Sequence, residues 1–249
     1  MIGGPLKRLV SGPTAGLVNL KRLAKVDQWL YPPVCLVCGL AGRPGLDCCS
    51  GCESDLPRLA GQCQRCGLEL ERPVALCGRC TSQLPTFDAT WPGFAYRGDI
   101  MRLVQRFKFQ RDLAAGRVLA SLLARRLSED AAPRPDLMIP VPLHYQRRLS
   151  RGFNQSDLLC RDLSRLFGGL PWADALARRR ATRAQSDLPA DRRRGNVRGA
   201  FRIRRLPPGA RHVTLVDDVM TTGSTLNECA RVLKRTGVAR VDVWVIARA

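Results

Sequence analysis

The stretch Val213 to Thr225, Val-Thr-Leu-Val-Asp-Asp-Val-Met-Thr-Thr-Gly-Ser-Thr, constrains this chain more than any other. It opens as a short apolar run with the character of a buried strand. Two adjacent acids follow, then a turn of hydroxyl residues around Gly223. Beyond Thr225 the positions Leu226, Ala230 and Leu233 share one helical face, and Gly237 fits a C-cap. Strand, turn and helix in this order predict an α/β fold with an anion held at the turn. The first N–H groups of a helix lack intrahelical partners, and the helix dipole favours negative charge there.

The two acids refine the ligand. Asp217 and Asp218 stand at the carboxyl end of the strand, where open α/β sheets bind their ligands. Carboxylates repel a bare phosphate, so they are expected to face hydroxyl groups or a Mg²⁺ ion. A ligand carrying both a phosphate and a diol is a phosphorylated ribose. No Gly-x-x-x-x-Gly-Lys-Ser/Thr run occurs, which excludes a nucleoside-triphosphate P-loop. The segment resembles the phosphoribosyl pyrophosphate signature of the type I phosphoribosyltransferases. That resemblance implies that Asp217 and Asp218 hold the ribose 2′- and 3′-hydroxyls. It also implies that Thr221, Thr222, Gly223, Ser224 and Thr225 wrap the 5′-phosphate.

A second pattern lies upstream. Cysteines come as Cys35/Cys38, Cys49/Cys52, Cys63/Cys66 and Cys77/Cys80, with ten residues between successive pairs and a longer repeat of 28. Cys35-Leu-Val-Cys-Gly-Leu answers Cys63-Gln-Arg-Cys-Gly-Leu; Cys49-Ser-Gly-Cys answers Cys77-Gly-Arg-Cys. Two tandem zinc ribbons would show this repeat, each holding one structural Zn²⁺ on four thiolates. A stretch so poor in large apolar residues needs metal for its stability. A redox role for the Cys-x-x-Cys pairs and a disulfide framework are the competing readings. The first lacks a thioredoxin-like context, the second a secretion signal. Sequential pairing follows from the repeat, while the equal gaps leave interleaved pairing open. Cys48, Cys160 and Cys229 are left as structural residues.

The remaining chain divides into 1–31, a tail with an amphipathic helix from Leu17 to Leu30; 32–85, the double ribbon; and 86–249, an α/β domain. In the last, strands are expected at Phe87–Tyr96, from Asp136 toward His144, at Phe201–Arg204 and at Arg240–Ala247. The Asp217 strand is expected at the centre of the sheet, with Arg240–Ala247 closing it. Helices are expected at Asp99–Lys108, Leu113–Leu127 and from Gly152 onward. Phe107 and Phe109 are read as core, and Lys108 as pointing either into the site or away from it. Arg147 and Arg151 precede a helix start, so two anion-binding devices adjoin. Twelve arginines between 178 and 211 make either a solvated surface or a flap over an anion, with Arg183 and Gln185 foremost. His144 is read as structural ahead of a general base.

The charge of +20 suits phosphates on a small ligand or along a nucleic-acid backbone. No apolar run reaches the ~18 residues of a membrane span, and no signal-peptide core is evident, so a cytoplasmic protein is the default expectation. Taken together, the cysteine-rich head, Pro-Val-Pro-Leu followed by Arg-Gly-Phe-Asn-Gln, Gln185, Asn196 and Gly199-Ala200-Phe201, and the Asp-Asp turn are similar to the ComF family in identity and order. The resemblance covers about residues 20–249. It implies a competence-associated protein linked to handling of transforming DNA. It implies an open, mainly parallel phosphoribosyltransferase-like sheet flanked by helices behind a small zinc-ribbon domain. It further implies phosphoribosyl pyrophosphate with Mg²⁺ as ligand; Arg147, Arg151, Lys108 and Arg183 are the candidates for its pyrophosphate side. Three functions stay in view: transfer of a phosphoribosyl group to an unidentified acceptor, non-catalytic binding of single-stranded DNA by the ribbons and arginine tract, and docking of other uptake proteins.

Overall fold

The computed structural model describes residues 32–72, 74–143, 149, 152–179 and 198–249. Four parallel strands form the sheet, in the order β1 (Ala89–Ala95), β6 (Arg240–Arg248), β5 (His212–Met220) and β2 (Leu137–Pro140). The Asp217 strand is central, as expected. The Arg240 strand does not close the sheet but lies between β1 and β5. Its near-continuous apolar run, Val241 to Ala247, is what a strand covered on both faces requires. A separate antiparallel hairpin pairs β3 (Leu176–Arg178) with β4 (Phe201–Ile203).

Period-two alternation sorts the side chains of β6 and β5. Trp244, Ile246 and Val216 join one core with α3 (Gly98–Phe109), α4 (Leu113–Glu129) and α5 (Gln155–Leu166). Val241, Val243, Val245, Val213 and Leu215 join the other, beneath α6 (Ser224–Lys234) and the hairpin. Ile100, Leu103, Val104 and Phe107 all point inward from α3, as their spacing predicts. Phe109 does not: it is 70% exposed, because one residue beyond Lys108 the helix has turned its face to solvent.

The ribbons are stapled to opposite faces of this sheet. Cys35, Leu46, Cys48 and Leu56 belong to the α3–α5 core, where Arg106 Nη1 donates to Leu36 O at 2.9 Å. Cys63, Cys66, Cys77 and Cys80 belong to the α6 core. There Arg65 donates to the carbonyls of Asp88 and Pro85 at 2.9 and 3.0 Å. The repeat of 28 is visible in the backbone. Gly39 and Gly67 take φ of 77° and 64° at equivalent knuckle ends. Each donates its N–H to the first cysteine of its knuckle, at 2.9 and 2.8 Å. Two five-residue helices, α1 (Ser50–Ser54) and α2 (Gly78–Ser82), start behind Cys49 and Cys77 with the same N-cap conformation. Cys48, Cys160 and Cys229 are buried in the cores. No helix among the described residues is long and apolar enough to cross a membrane.

Candidate functional site

Both four-cysteine sets converge. Cys35, Cys38, Cys49 and Cys52 bring their sulfurs within 4.8 Å of one another, and Cys63, Cys66, Cys77 and Cys80 do the same. Pairing is therefore sequential. A tetrahedron of ~2.3 Å Zn–S bonds has edges of about 3.8 Å. Cys38 Sγ lies 3.8 Å from Cys49 Sγ, and Cys66 Sγ lies 3.7 Å from Cys77 Sγ. The donor sets thus fit structural Zn²⁺ in size and chemistry.

The backbone favours the thiolate at one cysteine of each set. Burial pushes the Cys35 thiol up, but the N–H groups of Cys38, Cys49 and Val37 outweigh this and hold it at about 6. Cys63, likewise opposed by burial, is drawn to about 7 by the N–H groups of Cys66, Cys77 and Arg65. Arg248 is 7% exposed beneath the second set. Its Nε donates to Cys66 O and its Nη1 to Met220 O, both at 3.1 Å. Burial draws its guanidinium below the usual range, while the sulfur charges of Cys66 and Cys77 oppose that pull. Neither contact was visible in the sequence, where Arg248 is one more arginine.

The acid pair stands where β5 ends. Asp217 is partly buried; its Oδ1 accepts from Ser156 Oγ at 3.1 Å and from the Asp218 N–H at 2.9 Å. Burial, then the neighbouring Asp218 charge, push its carboxyl up to about 7, against the pull of Lys108 and of those two donors. Asp218 is 7% exposed and meets Lys108 Nζ at 2.8 Å. Lys108 therefore does point into the site, and in the free protein it neutralises one of the two acids. Ser156 sits in the first turn of α5, which Asn154 anchors to β2 by donating to Val141 O at 3.2 Å. That tether sets the helix start expected after Gly152 beside Asp217. The serine's bond to the acid had no sequence signal beyond that placement.

The turn follows directly. Gly223 is the N-cap of α6 at φ 73°, a conformation that glycine adopts without steric cost. Thr222 Oγ1 and Ser224 Oγ lie 2.9 Å apart, and Arg79 Nη2 donates to Thr222 O at 3.1 Å. Gly223 and Ser224 are buried, whereas Thr221, Thr222 and Thr225 are partly exposed. Arg147, Arg151 and Arg183, with His144, Gln185 and Asn196, lie outside the described residues. A Cβ at Gly223 would fall 2.5 Å from Met220 Cε. Gly223→Ala is expected to destabilise the chain by about 1–3 kcal/mol, through left-handed strain plus displacement of the methionine tip. A lowered urea midpoint would report it; an unchanged one would mean the turn relaxes freely.

Comparison with known proteins places these parts. A double zinc ribbon domain matches residues 26–86, and a phosphoribosyl transferase domain matches residues 166–249. "DNA utilization protein YhgH" of Escherichia coli O157:H7 is 38% identical over 226 residues, 87% of this chain and 97% of that protein. "Competence protein F" of Haemophilus influenzae is 38% identical over 209 residues, covering 81% and 90%. "Competence protein ComFC" of Streptococcus pneumoniae is 28% identical over 155 residues, covering 62% and 66%. With its two four-cysteine ribbons mounted on an α/β domain of phosphoribosyltransferase type, the chain belongs to the ComF family.

Proposed function

We propose that the chain binds phosphoribosyl pyrophosphate with Mg²⁺ at the end of β5 and serves the uptake and use of DNA in the cytoplasm. One observation carries the ligand: Asp217 and Asp218 are adjacent near the end of β5, and a single short turn leads from that end to the N-terminus of α6. Helix N–H groups and the Thr221–Thr225 turn suit the 5′-phosphate. The acids suit the ribose hydroxyls. When bound, Mg²⁺ would neutralise charge between the Asp217 carboxylate and the pyrophosphate. Lys108, paired with Asp218 at 2.8 Å in the free protein, would turn to that pyrophosphate, with Arg147, Arg151 and Arg183 as its further partners. The DNA role is drawn from the relatives, named for DNA utilization and competence.

A second reading is a non-catalytic factor that holds single-stranded DNA on the ribbons and the arginine tract, with other uptake proteins as further partners. The net charge of +20 favours it. Such binding rests on phosphate contacts and weakens steeply with salt.

One paired measurement decides. Calorimetric titration of the zinc-loaded chain with phosphoribosyl pyrophosphate is expected to show binding that needs Mg²⁺. Asp218→Asn should weaken it roughly ten- to a hundredfold, the value of a charged hydrogen bond or two. Single-stranded DNA affinity across a salt series should stay unchanged in that variant. Absence of binding at millimolar ligand, or equal binding by the variant, overturns the sugar-phosphate assignment. Release of pyrophosphate with some acceptor would make the protein a transferase; no release would favour the binding factor.

A further inference from the structure

Beside the phosphate turn a cavity of about 370 Å³ opens between the second ribbon and α6, with neither Asp217 nor Asp218 in its lining. Its volume falls in the range of small-molecule sites. Three arginines from three separate elements converge on it: Arg79 from α2, Arg198 at the foot of β4, and Arg231 from α6. Arg79 and Arg198 are exposed, and Arg231 is held in place by Glu228, Nε to Oε2 at 2.8 Å. Asn227 adds a polar group, oriented by accepting from the Thr86 N–H at 2.6 Å. Opposite them Leu84 and Pro85 offer an apolar wall, and Leu84 is 58% exposed.

We propose that this cavity is a second ligand site, for a nucleoside phosphate, which shares the Thr222–Ser224 wall with the sugar-phosphate site but not its acids. Guanidinium groups recognise phosphate by paired, charge-assisted hydrogen bonds, and the apolar wall suits the flat face of a base. Free mononucleotides and the phosphorylated end of a DNA strand share this chemistry. The two sites are not independent, since Thr222, Gly223 and Ser224 line the cavity and also belong to the phosphate turn. Arg79 already donates to the Thr222 carbonyl at 3.1 Å. A phosphate that recruits Arg79 takes that donor from the turn. Occupancy of the cavity therefore changes affinity at the acids, and by linkage the reverse holds by the same factor.

The test uses the zinc-loaded full chain. AMP is titrated by calorimetry, and a labelled oligothymidylate with and without a 5′-phosphate is followed by anisotropy. Arg198→Ala and Arg79→Ala alter exposed side chains, and two zinc ions per chain with an unchanged melt confirm the fold. Each is expected to weaken binding of AMP, or of the 5′-phosphorylated strand, roughly ten- to a hundredfold. Asp217→Asn should leave that binding intact. AMP binding that needs Arg198 and Arg79 identifies a free nucleotide; dependence seen only with the 5′-phosphorylated strand identifies a DNA end. No binding of either probe at millimolar concentration, or loss in Asp217→Asn with retention in both arginine variants, overturns the proposal. If phosphoribosyl pyrophosphate fails to bind the wild type while AMP binding still depends on Arg198, the cavity stands and the reading of the acids falls.

Discussion

Loss of the second zinc ion is expected to unfold the whole chain, not the ribbon alone. Cys63, Cys66, Cys77 and Cys80 share a core with Phe87, Leu226, Cys229 and the inner valines of β5 and β6. A structural zinc site contributes an apparent ~10–16 kcal/mol, and a domain's net stability is about 5–15 kcal/mol. Removing the site thus takes away as much as the fold has in hand. Two further terms act in the same direction. Arg248, buried against Cys66, loses the charge that offsets its own, and the Arg79 contact to Thr222 loses its base. Cys63→Ser is expected to abolish the cooperative melt followed by circular dichroism. A chelator should release zinc in two steps, the first site faster, because Cys38 is exposed and Cys49 and Cys52 are partly so, whereas all four ligands of the second are buried. A Cys63→Ser chain that melts like the wild type would show that apolar packing alone holds the ribbon to the sheet.

The metal sites and the β5–α6 unit could be read from sequence because each is local. A knuckle, its 28-residue copy, and a strand–turn–helix need only neighbours along the chain to declare themselves. Equal ten-residue gaps could not settle ligand pairing, which depends on which knuckles meet in space; the sulfur separations settle it as sequential. The position of β6 was missed for the same reason. A chain-terminal strand looks like an edge until its continuous apolar run is weighed as burial on both faces. Phe109 was expected in the core together with Phe107, although the helical period turns it outward. Ser156 on Asp217, Lys108 on Asp218 and Arg248 under the ribbon join residues 61, 110 and 182 positions apart, and composition carries no trace of such pairs.

Asp217→Asn should stabilise the protein at pH 8 and leave it unchanged at pH 4. An unfolded aspartate titrates near ~4. In the fold, burial and the Asp218 charge push Asp217 up to about 7. Below about pH 4 both states hold the proton, and the acid adds no penalty. From about 4 to 7 the unfolded chain releases its proton while the folded one keeps it, so stability falls as pH rises and the loss is complete above the folded value. At ~1.4 kcal/mol per pH unit the ceiling is about 4 kcal/mol, and the residue's partial exposure brings the expected gain in the variant to about 1–3 kcal/mol. Asparagine keeps an oxygen for Ser156 and the Asp218 N–H, so the change isolates the charge. Asp218→Asn is expected to do the reverse, since it leaves Lys108 half-buried without its carboxylate. Urea midpoints at the two pH values measure both, and an Asp217→Asn variant no more stable at pH 8 than the wild type would sink the claim. A fold that retains a charge at such cost is arranged for something that relieves it. Mg²⁺ with phosphoribosyl pyrophosphate should therefore raise the pH 8 midpoint of the wild type well above that of Asp217→Asn, and bind progressively less tightly as pH falls below about 7, where the Asp217 proton must first be displaced.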